Sequence, residues 1–294
     1  MIKRTILIES EGATIRTELQ SLVVSQSDRE TARVPLEDLG LLILESPQIL
    51  ITQSALAACA ENGAAVLVCA RNHLPVGLML PLAGNTLHTQ RLRAQVETKK
   101  PLKKQLWRQI IKVKIANQAA LLPKNSRARK KINALTGQVK SGDSDNREAV
   151  ASRLYWRALF DDSDFRRDRY GEAPNNLLNY GYMILRATAA RALCGAGLHP
   201  ALGLHHSNRE NPFCLADDIL EPYRPFVDRR VLELHRANVE KLDKNAKASL
   251  LKILADTIKL GKDKAPLMVA MQKSASSLAN CYADKNGKLH LPTL

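Results

Sequence analysis

Cysteine is scarce and unpaired in the 294-residue sequence, where five cysteines are scattered without a Cys-x-x-Cys pair. This excludes a disulfide scaffold and a zinc ribbon, and it is typical of a protein of the reducing cytoplasm. Long apolar runs are also missing, because the longest, Ala64–Ala70 and Val76–Leu80, are far too short to cross a bilayer. Glu9 and Glu11 stand where a signal peptide needs its apolar stretch, so we expect a cytoplasmic rather than a secreted protein.

Acidic residues are outnumbered, since 44 Lys and Arg face 29 Asp and Glu and give a net charge of +15. The excess is uneven: residues 1–90 hold 6 basic and 9 acidic residues, and residues 91–294 hold the remaining 38 and 20. Between Glu97 and Lys140, 13 Lys or Arg residues face Glu97 alone. This surplus favours binding of a polyanion, above all nucleic acid. An anionic membrane fits less well, because no stretch pairs the charge with an aromatic-rich apolar face. A merely solvated basic helix face is the open alternative.

The first 90 residues carry a strand pattern. Short runs rich in Val, Ile and Leu, separated by Gly and Pro, predict strands at Thr5–Ile8, Leu19–Val24, Leu41–Leu44, Ala65–Cys69 and Val76–Leu80. One helix is predicted among them at Gln53–Glu61, with Thr52 as its N-terminal cap and Asn62-Gly63 at its C-terminus. We therefore predict a compact β-sandwich or roll that serves in protein contact or dimerisation.

The remainder of the chain carries helical patterns. They predict a helix at Leu102–Leu122, followed by a basic segment at Lys124–Lys140 and by a helix that is capped by Asp145 or Asn146 and runs to about Phe160. Further helices are predicted at Asn175–Gly195, at Leu215–Arg236, at about Ala246–Ile258 and at Ala265–Tyr282. Pro222 and Pro225 are expected to bend or split the helix at Leu215–Arg236. The predicted fold class is therefore α+β with two domains. Residues 1–88 are expected to form the β-rich dimerisation domain, and residues 89–294 a larger all-helical catalytic domain.

Two positions in the helical part could carry chemistry. Glu148 lies in the first turn of a predicted helix, where a carboxylate is also simply a favourable partner for the helix N-terminus. His205 and His206 end a glycine-containing loop between helices, and they are candidates for contact with a metal or a phosphate. Either histidine could also have a purely structural role.

A third candidate is the acidic cluster of Asp217, Asp218 and Glu221. On a helix these carboxylates share a face, where they repel one another unless a cation intervenes or the helix start favours them. Mg²⁺ or Mn²⁺ is suited to bridging such oxygen ligands to a phosphate. Together with the basic surroundings, the cluster favours metal-assisted phosphodiester chemistry, and an acidic first helical turn is the alternative.

Several segments, taken in chain order, resemble one known family over essentially the whole length. They are Val34-Pro35-Leu36-Glu37-Asp38-Leu39-Gly40, His73-Leu74-Pro75-Val76-Gly77, Asp145-Asn146-Arg147-Glu148-Ala149 with Tyr155-Trp156, Asn175–Asn179 with Tyr180-Gly181-Tyr182, Gly197–His206 and Leu215–Pro225. They are similar to landmarks of the CRISPR-associated integrase of spacer acquisition, the endonuclease of adaptation modules. The likeness is greatest to the form that accompanies single-protein RNA-guided effector nucleases in type II systems.

The resemblance implies a set of site residues. Glu148, His206 and Glu221 would be the catalytic metal ligands and would hold Mg²⁺ or Mn²⁺. The family spacing Gly-x-x-His after Gly203 selects His206 rather than His205. Asp218 matches a further acidic position that would assist the metal or a water.

The resemblance also implies an activity and its partners. The chain would join the 3′-OH ends of a prespacer duplex to a CRISPR repeat by transesterification, so its substrates would be double-stranded DNA. Two homodimers would flank one dimer of a small second adaptation protein in a heterohexamer. The RNA-guided effector nuclease is a further candidate partner, and no membrane is involved.

Two other functions remain open from the residues. A tyrosine recombinase would use Tyr180 or Tyr182 as nucleophile, with arginines as phosphate clamps and no metal. A basic architectural protein would bind DNA with a strong salt dependence but without catalysis. That function gives the acidic cluster no role.

Overall fold

The computed structural model describes residues 3–26, 29–71, 73, 75–82, 84–285 and 287–294. Two four-stranded sheets fill the first part of the chain, one in the order β1-β5-β7-β8 and the other in the order β4-β3-β2-β6. The strands are β1 (Arg4–Ile8), β2 (Thr14–Glu18), β3 (Ser21–Gln26), β4 (Arg29–Pro35), β5 (Leu39–Leu44), β6 (Leu50–Ile51), β7 (Ala65–Cys69) and β8 (Pro75–Met79). Helix α1 (Gln53–Glu61) lies among them, and the Thr52 hydroxyl caps it by accepting from the Ala55 amide at 3.2 Å.

Strand β5 is buried along its whole length and pairs in parallel with both β1 and β7. Side chains alternate between the two faces of a strand, and here the faces belong to different cores. Leu42 and Leu44 pack with Ile15 and Leu22 inside the strand-rich part, whereas Leu41 and Ile43 join the large core of the helices. The strand-rich part therefore packs directly against the helical part.

The second part of the chain is mainly helical. Its helices are α2 (His88–Glu97), α3 (Lys100–Leu121), α4 (Arg127–Gln138), α5 (Arg147–Leu159), α6 (Asn175–Gly195), α7 (Cys214–Leu220), α8 (Arg224–Arg236), α9 (Lys244–Lys252) and α10 (Leu267–Ala283). A short 3₁₀ turn, Glu221–Tyr223, separates α7 from α8, so the expected split at Pro222 and Pro225 is confirmed. The predicted α+β class, with strands first and helices after, is confirmed.

Several element boundaries differ from the prediction. Leu19 and Gln20 form a turn with positive φ, so the strand begins at Ser21. The helix predicted to reach Ile258 ends instead at Lys252, where a 3₁₀ turn at Ile253–Ala255 leads into a small sheet. This sheet has the order β10-β9-β11, with β9 at Thr257–Leu260, β10 at Asp263–Pro266 and β11 at Pro292–Thr293. The helical part is therefore not helical throughout.

Helix α2, which the sequence reasoning missed, fixes the loop between α6 and α7. Gln95 is fully buried, and its amide donates to the carbonyls of His199 and Leu202 at 3.0 and 3.1 Å. The side-chain oxygen of Gln95 in turn accepts from the backbone amide of His199 at 2.9 Å.

No helix of the described residues is long and apolar enough to cross a membrane. Leu74, in one motif of the family resemblance, lies outside the described residues, as do Met1 and Ile2.

Candidate active site

The three residues predicted as metal ligands line one cavity of about 410 Å³. Glu148 comes from the first turn of α5, His206 from the loop before α7, and Glu221 from the turn between α7 and α8. Trp107, Lys114, Asp143, Asn146 and His205 complete the lining. Segments far apart in sequence thus contribute to one open, mostly polar space.

Glu148 owes its place to the start of α5, where the N-cap residue is Asn146, one of the two predicted, but a different side chain accepts from the first amides. That side chain is Asp143: its carboxylate accepts from the amides of Arg147 and Glu148 at 2.9 and 3.0 Å. Asn146 is left-handed and makes no side-chain cap, whereas Asp145 pairs with Lys140. By accepting from the amides of Arg147 and Glu148, the Asp143 carboxylate satisfies two of the first free amides of the helix from three residues before the N-cap position.

His206 is oriented by Asp218. The fully buried Asp218 carboxylate accepts from the backbone amides of Leu204 and His205 at 2.6 and 3.0 Å. It also lies 2.5 Å from Nδ1 of His206. This hydrogen bond, together with the nearby negative charges, raises the pKa of His206 despite partial burial. Because Nδ1 is engaged, Nε2 is the ring nitrogen left free of Asp218, the arrangement common to metal-binding histidines.

His205 has a different environment. Its ring stacks flat on Trp107, with centroids 4.5 Å apart and an interplanar angle of 1°. The His206 ring meets Trp107 edge-on, at 5.7 Å and 83°. The two histidine rings therefore differ in environment, because the His206 ring contacts the buried Asp218 carboxylate and the His205 ring stacks on Trp107.

The acidic cluster does not form one cation site, because each carboxylate has a separate partner. Asp217 accepts two hydrogen bonds from Arg186, at 2.6 and 2.9 Å. Asp218 holds the histidine loop. Glu221 accepts from Nε of Arg224 at 2.9 Å and points into the cavity. Burial disfavours the charged form of Glu221, but Arg224 and Lys114 outweigh it and lower its pKa to about 2. Glu221 is thus ionised at neutral pH.

Lys114 lies between the two glutamates, and sequence reasoning missed it. Its Nζ is 2.5 Å from Oε1 of Glu148 and 2.6 Å from Oε2 of Glu221. Burial lowers the pKa of Lys114, yet the two carboxylates reverse the direction and raise it. Its partners are 34 and 107 residues away in the chain, so the local sequence shows only one more lysine in a basic helix.

A second cavity of about 270 Å³ adjoins the first and is also lined by Lys114, Glu148 and Glu221. Its far wall includes Asp228, which accepts from the hydroxyl of Tyr155 at 2.8 Å and from that of Tyr182. Burial raises the pKa of Asp228 to about 6, against the effect of these hydrogen bonds.

The tyrosines of α6 do not fit a nucleophile. The Tyr182 hydroxyl donates to Asp228, and burial together with that carboxylate raises its pKa well above the usual value. The Tyr180 hydroxyl is buried away from the cavity, and burial raises its pKa as well. A recombinase tyrosine must give up its proton readily and reach solvent-borne DNA, so these positions argue against that alternative.

The donor chemistry of the site fits Mg²⁺ or Mn²⁺. Oε2 of Glu221 is buried, and its recorded partner among the described residues is the Lys114 ammonium, 2.6 Å away. In the described part of the chain, however, no three His, Cys, Asp or Glu side chains are already gathered closely enough to hold a metal ion. The types of side chain at the site therefore suit a divalent cation. In this structure the Lys114 ammonium supplies the positive charge between the two glutamates.

Much of the predicted basic surplus reaches solvent. Nine of the 13 basic side chains between Glu97 and Lys140 are exposed: Lys99, Lys100, Lys104, Arg108, Lys124, Arg127, Lys130, Lys131 and Lys140. Two arginines also have structural contacts, since Arg108 donates to the Val139 carbonyl at 2.8 Å and Arg129 to that of Leu122 at 2.9 Å. Helices α3 and α4 thus present a positive surface, and α3 also carries Trp107 and Lys114.

The fold and cavity define a class of basic α+β proteins with two carboxylates and an imidazole facing a candidate phosphodiester site. A family model described as CRISPR associated protein Cas1 matches residues 6–257. The chain therefore belongs to the CRISPR-associated Cas1 family.

Known relatives agree with this placement. A CRISPR-associated endonuclease Cas1 of Neisseria meningitidis serogroup C (strain 8013) is 40% identical over 100% of this chain and 97% of its own length. A CRISPR-associated endonuclease Cas1 of Pyrobaculum aerophilum is 31% identical, over 78% of this chain and 82% of its own. The whole-length likeness to the Neisseria protein is consistent with the expected type II form.

Solved structures share the fold at low sequence identity. A casposase bound to its integration product matches with a TM-score of 0.79 and 19% identity, covering 97% of this chain and 92% of its own. A Cas1 protein from Thermotoga maritima matches with a TM-score of 0.76 and 16% identity, covering 95% and 97%. These likenesses concern the fold.

Proposed function

We propose that this chain is a metal-dependent DNA integrase of CRISPR adaptation, which joins the 3′-OH ends of a prespacer duplex to a repeat by transesterification. The observation that carries the proposal is the convergence of Glu148, His206 and Glu221 on one open cavity. The names of the relatives support it, since the two curated proteins are called endonucleases and the casposase is bound to an integration product.

Glu148, His206 and Glu221 would hold Mg²⁺ or Mn²⁺ through carboxylate oxygens and an imidazole nitrogen. When bound, the cation would stabilise negative charge on the attacking and leaving oxygens of an in-line displacement. Asp218 is a positioning residue, because it keeps the His206 ring turned with Nδ1 inward. Asp143 has the same task for Glu148 through the start of α5.

Exposed basic residues on the protein surface would bind DNA. The exposed basic residues of α3 and α4 would contact phosphates, which positions a duplex without reading its sequence. Arg224 would keep Glu221 ionised and correctly directed, since its guanidinium donates to the carboxylate. These contacts orient the substrate and the acidic side chains before any bond changes.

The assembly completes the proposal. The strand-rich residues 1–88 would form a homodimer, and residues 89–294 would carry the site. Two such dimers would flank a dimer of a small second adaptation protein. A solved relative occurs in a Cas6-RT-Cas1–Cas2 complex, which supports a partner of this kind.

The proposal is tested at Glu221. Glu221→Gln keeps the shape of the side chain but removes a charged ligand, so we expect Mn²⁺-dependent joining of a 3′-OH duplex to a repeat substrate to be lost. DNA affinity should be kept or increase, because less negative charge then faces the phosphates. Since a buried ion pair is broken, melting temperature is measured as well and joining is assayed well below it.

Glu233→Gln is the matched control. Glu233 lies on the neighbouring helix α8, is more than half exposed, and has an arginine partner three residues away, as Glu221 has. The control should join DNA like the wild type. Wild-type joining rates in the folded Glu221→Gln variant would contradict the proposed site, and DNA binding without any joining by the wild type would favour the architectural function.

A further inference from the structure

We propose that Lys114 is a built-in counter-ion that a divalent cation has to displace from between Glu148 and Glu221. The inference rests on the proposed function, because it concerns how the same site takes up its metal. Lys114 would thereby set the affinity of the site, although it is not itself a ligand.

The position of the ammonium carries the inference. Lys114 is only 7% exposed, and its Nζ contacts one oxygen of each glutamate, at 2.5 and 2.6 Å. Two carboxylates drawn this close need positive charge between them. A single ammonium supplies one unit, whereas a divalent cation supplies two in the same place. Both cations cannot occupy that place, so binding of one requires movement of the other.

Each glutamate keeps a second partner when Lys114 leaves. Glu148 accepts from the Ser152 hydroxyl at 2.9 Å, one turn further along α5. Glu221 accepts from Arg224 at 2.9 Å through its other oxygen, Oε1. Among the described residues, the contact recorded for Oε2 is the Lys114 ammonium, 2.6 Å away. The ammonium can therefore move away while each carboxylate still accepts a hydrogen bond from another side chain.

The second cavity offers a place for the withdrawn side chain. Lys114 lines both cavities, so rotation about its side-chain bonds can carry the ammonium from one to the other. The second cavity presents the Asp228 carboxylate and the Gln118 amide group. Both offer an oxygen acceptor to an ammonium group. A lysine has the flexible four-carbon stem that such a movement needs.

The simplest competing explanation is a permanent structural ion pair that supports the ligands from behind. In that case Lys114 would help to hold the glutamates in place for the metal, and its removal would weaken metal binding. Displacement predicts the opposite direction, which makes the two explanations separable by a binding measurement that does not depend on catalysis.

The experiment measures Mn²⁺ binding by electron paramagnetic resonance, and thermal unfolding in EDTA and in MnCl₂. Lys114→Met keeps the length of the side chain and removes the charge. We expect its Mn²⁺ dissociation constant to fall by roughly tenfold or more, since the cation no longer has to displace an ammonium group from between the two glutamates before it binds. The melting temperature in EDTA should fall, and the rise on adding Mn²⁺ should exceed that of the wild type.

Two controls accompany it. Lys112→Met changes a lysine two residues away on α3 that does not line either cavity, and it should bind Mn²⁺ like the wild type. If Lys114→Met does not fold, Glu148→Gln is compared with Glu148→Gln/Lys114→Met, because the double variant lacks both charges of the pair. The double variant should then bind Mn²⁺ more tightly than the single one.

Unchanged or weaker Mn²⁺ binding after removal of Lys114 overturns the inference while leaving the proposed function in place. Absence of Mn²⁺ binding and of metal-dependent joining in the wild type instead removes the proposed metal site, and the inference with it. Stronger binding in the Lys114 variant, with an unchanged Lys112 control, supports displacement.

Discussion

Two neighbouring histidines in this protein have different environments, because one carboxylate contacts the ring of His206 but not that of His205. Asp218 contacts Nδ1 of His206 and the backbone amide of His205, so it fixes one ring and only the main chain of the other residue. His205 instead stacks on Trp107. A ring held through Nδ1 presents Nε2 in a fixed direction, which a metal ligand requires.

We therefore predict that His206→Ala abolishes DNA joining, whereas His205→Ala keeps a measurable fraction. Joining of a 3′-OH duplex in Mn²⁺ is the measurement, and Mn²⁺ affinity is determined in parallel. His205→Ala should bind the metal nearly normally, because it loses only aromatic packing, worth about 1 kcal/mol. An inactive His205 variant beside an active His206 variant would reverse the assignment.

The sequence could indicate side chains of the site and the acidic position Asp218, which the structure shows to hold His206 rather than to face the cavity, but not the other supports. Glu148, His206 and Glu221 belong to short motifs, and all three line the cavity. Lys114 and Asp143 belong to none of the motifs used, and their roles arise from folding. A lysine in a basic helix has the same local signature whether it faces water or two distant carboxylates.

At the scale of elements, helices with clear ends were predictable and polar strands were not. Helices α1 and α6 have the predicted bounds, Gln53–Glu61 and Asn175–Gly195. Strands β2 and β4, with the sequences TIRTE and RETARVP, contain too few apolar residues to be recognised. They form because β3 lies between them as a pairing partner.

Tertiary pairing also overrode helix propensity near residue 258. The segment Thr257–Leu260 continues an apolar helical pattern, yet it pairs with Asp263–Pro266 on one side and Pro292–Thr293 on the other. A strand partner more than a whole helix further along the chain leaves no trace in the local pattern. This is why the predicted helix was too long and the small sheet was missed.

Helix α3 allows a test of the DNA-binding surface. We predict that changing Lys103, Lys104 and Arg108 together to Gln makes the fall of DNA affinity with log salt less steep, by about 0.9 for each phosphate that is no longer neutralised. Binding is measured over a series of salt concentrations. Part of any decrease in stability reflects Arg108, which donates to the Val139 carbonyl.

A matched triple variant separates position from net charge. Lys259, Lys262 and Lys264 are exposed on the β9–β10 hairpin, and their change to Gln removes the same charge elsewhere. This control should leave the slope close to that of the wild type. Equal slopes for both triple variants and the wild type would mean that the basic residues of α3 form only a solvated face.

For the whole molecule, a buried ionic cluster joins the strand-rich part to the helices. Lys247 of α9 is 5% exposed, and its Nζ lies 2.5 Å from Oε1 of Glu45, which is 2% exposed. Glu9 is 3.5 Å from the same ammonium, and Nδ1 of His73 lies 2.8 Å from the same oxygen of Glu45. A shared apolar core also spans both parts.

We predict that Lys247→Met lowers the free energy of unfolding by about 3 kcal/mol, because it leaves a buried carboxylate without its main partner. Urea unfolding at neutral pH measures this. Glu45→Gln/Lys247→Met should recover part of the stability, since no buried charge then remains unpaired. Lys252→Met, which changes an exposed lysine of the same helix, is the control and should have little effect.

If Lys247→Met lowers the free energy of unfolding no more than Lys252→Met does, the ionic cluster does not help to hold the strand-rich part and the helices together. A second transition in the Lys247 variant alone would show that the ion pair makes their unfolding cooperative. Either result can be obtained without DNA or metal.

The three-residue interval between Asp218 and Glu221 has a consequence for how such a chain can vary over generations. One carboxylate holds the histidine loop and the other faces the cavity, so a single short segment sets the relative position of both. Inserting or deleting one residue between them would turn Glu221 by about 100° around the helix axis. Exchanges among apolar residues of similar size at the buried positions 219 and 220 can be absorbed by repacking, whereas a change of length cannot. Laboratory libraries built on this protein should therefore diversify this interval by substitution and keep its codon count fixed.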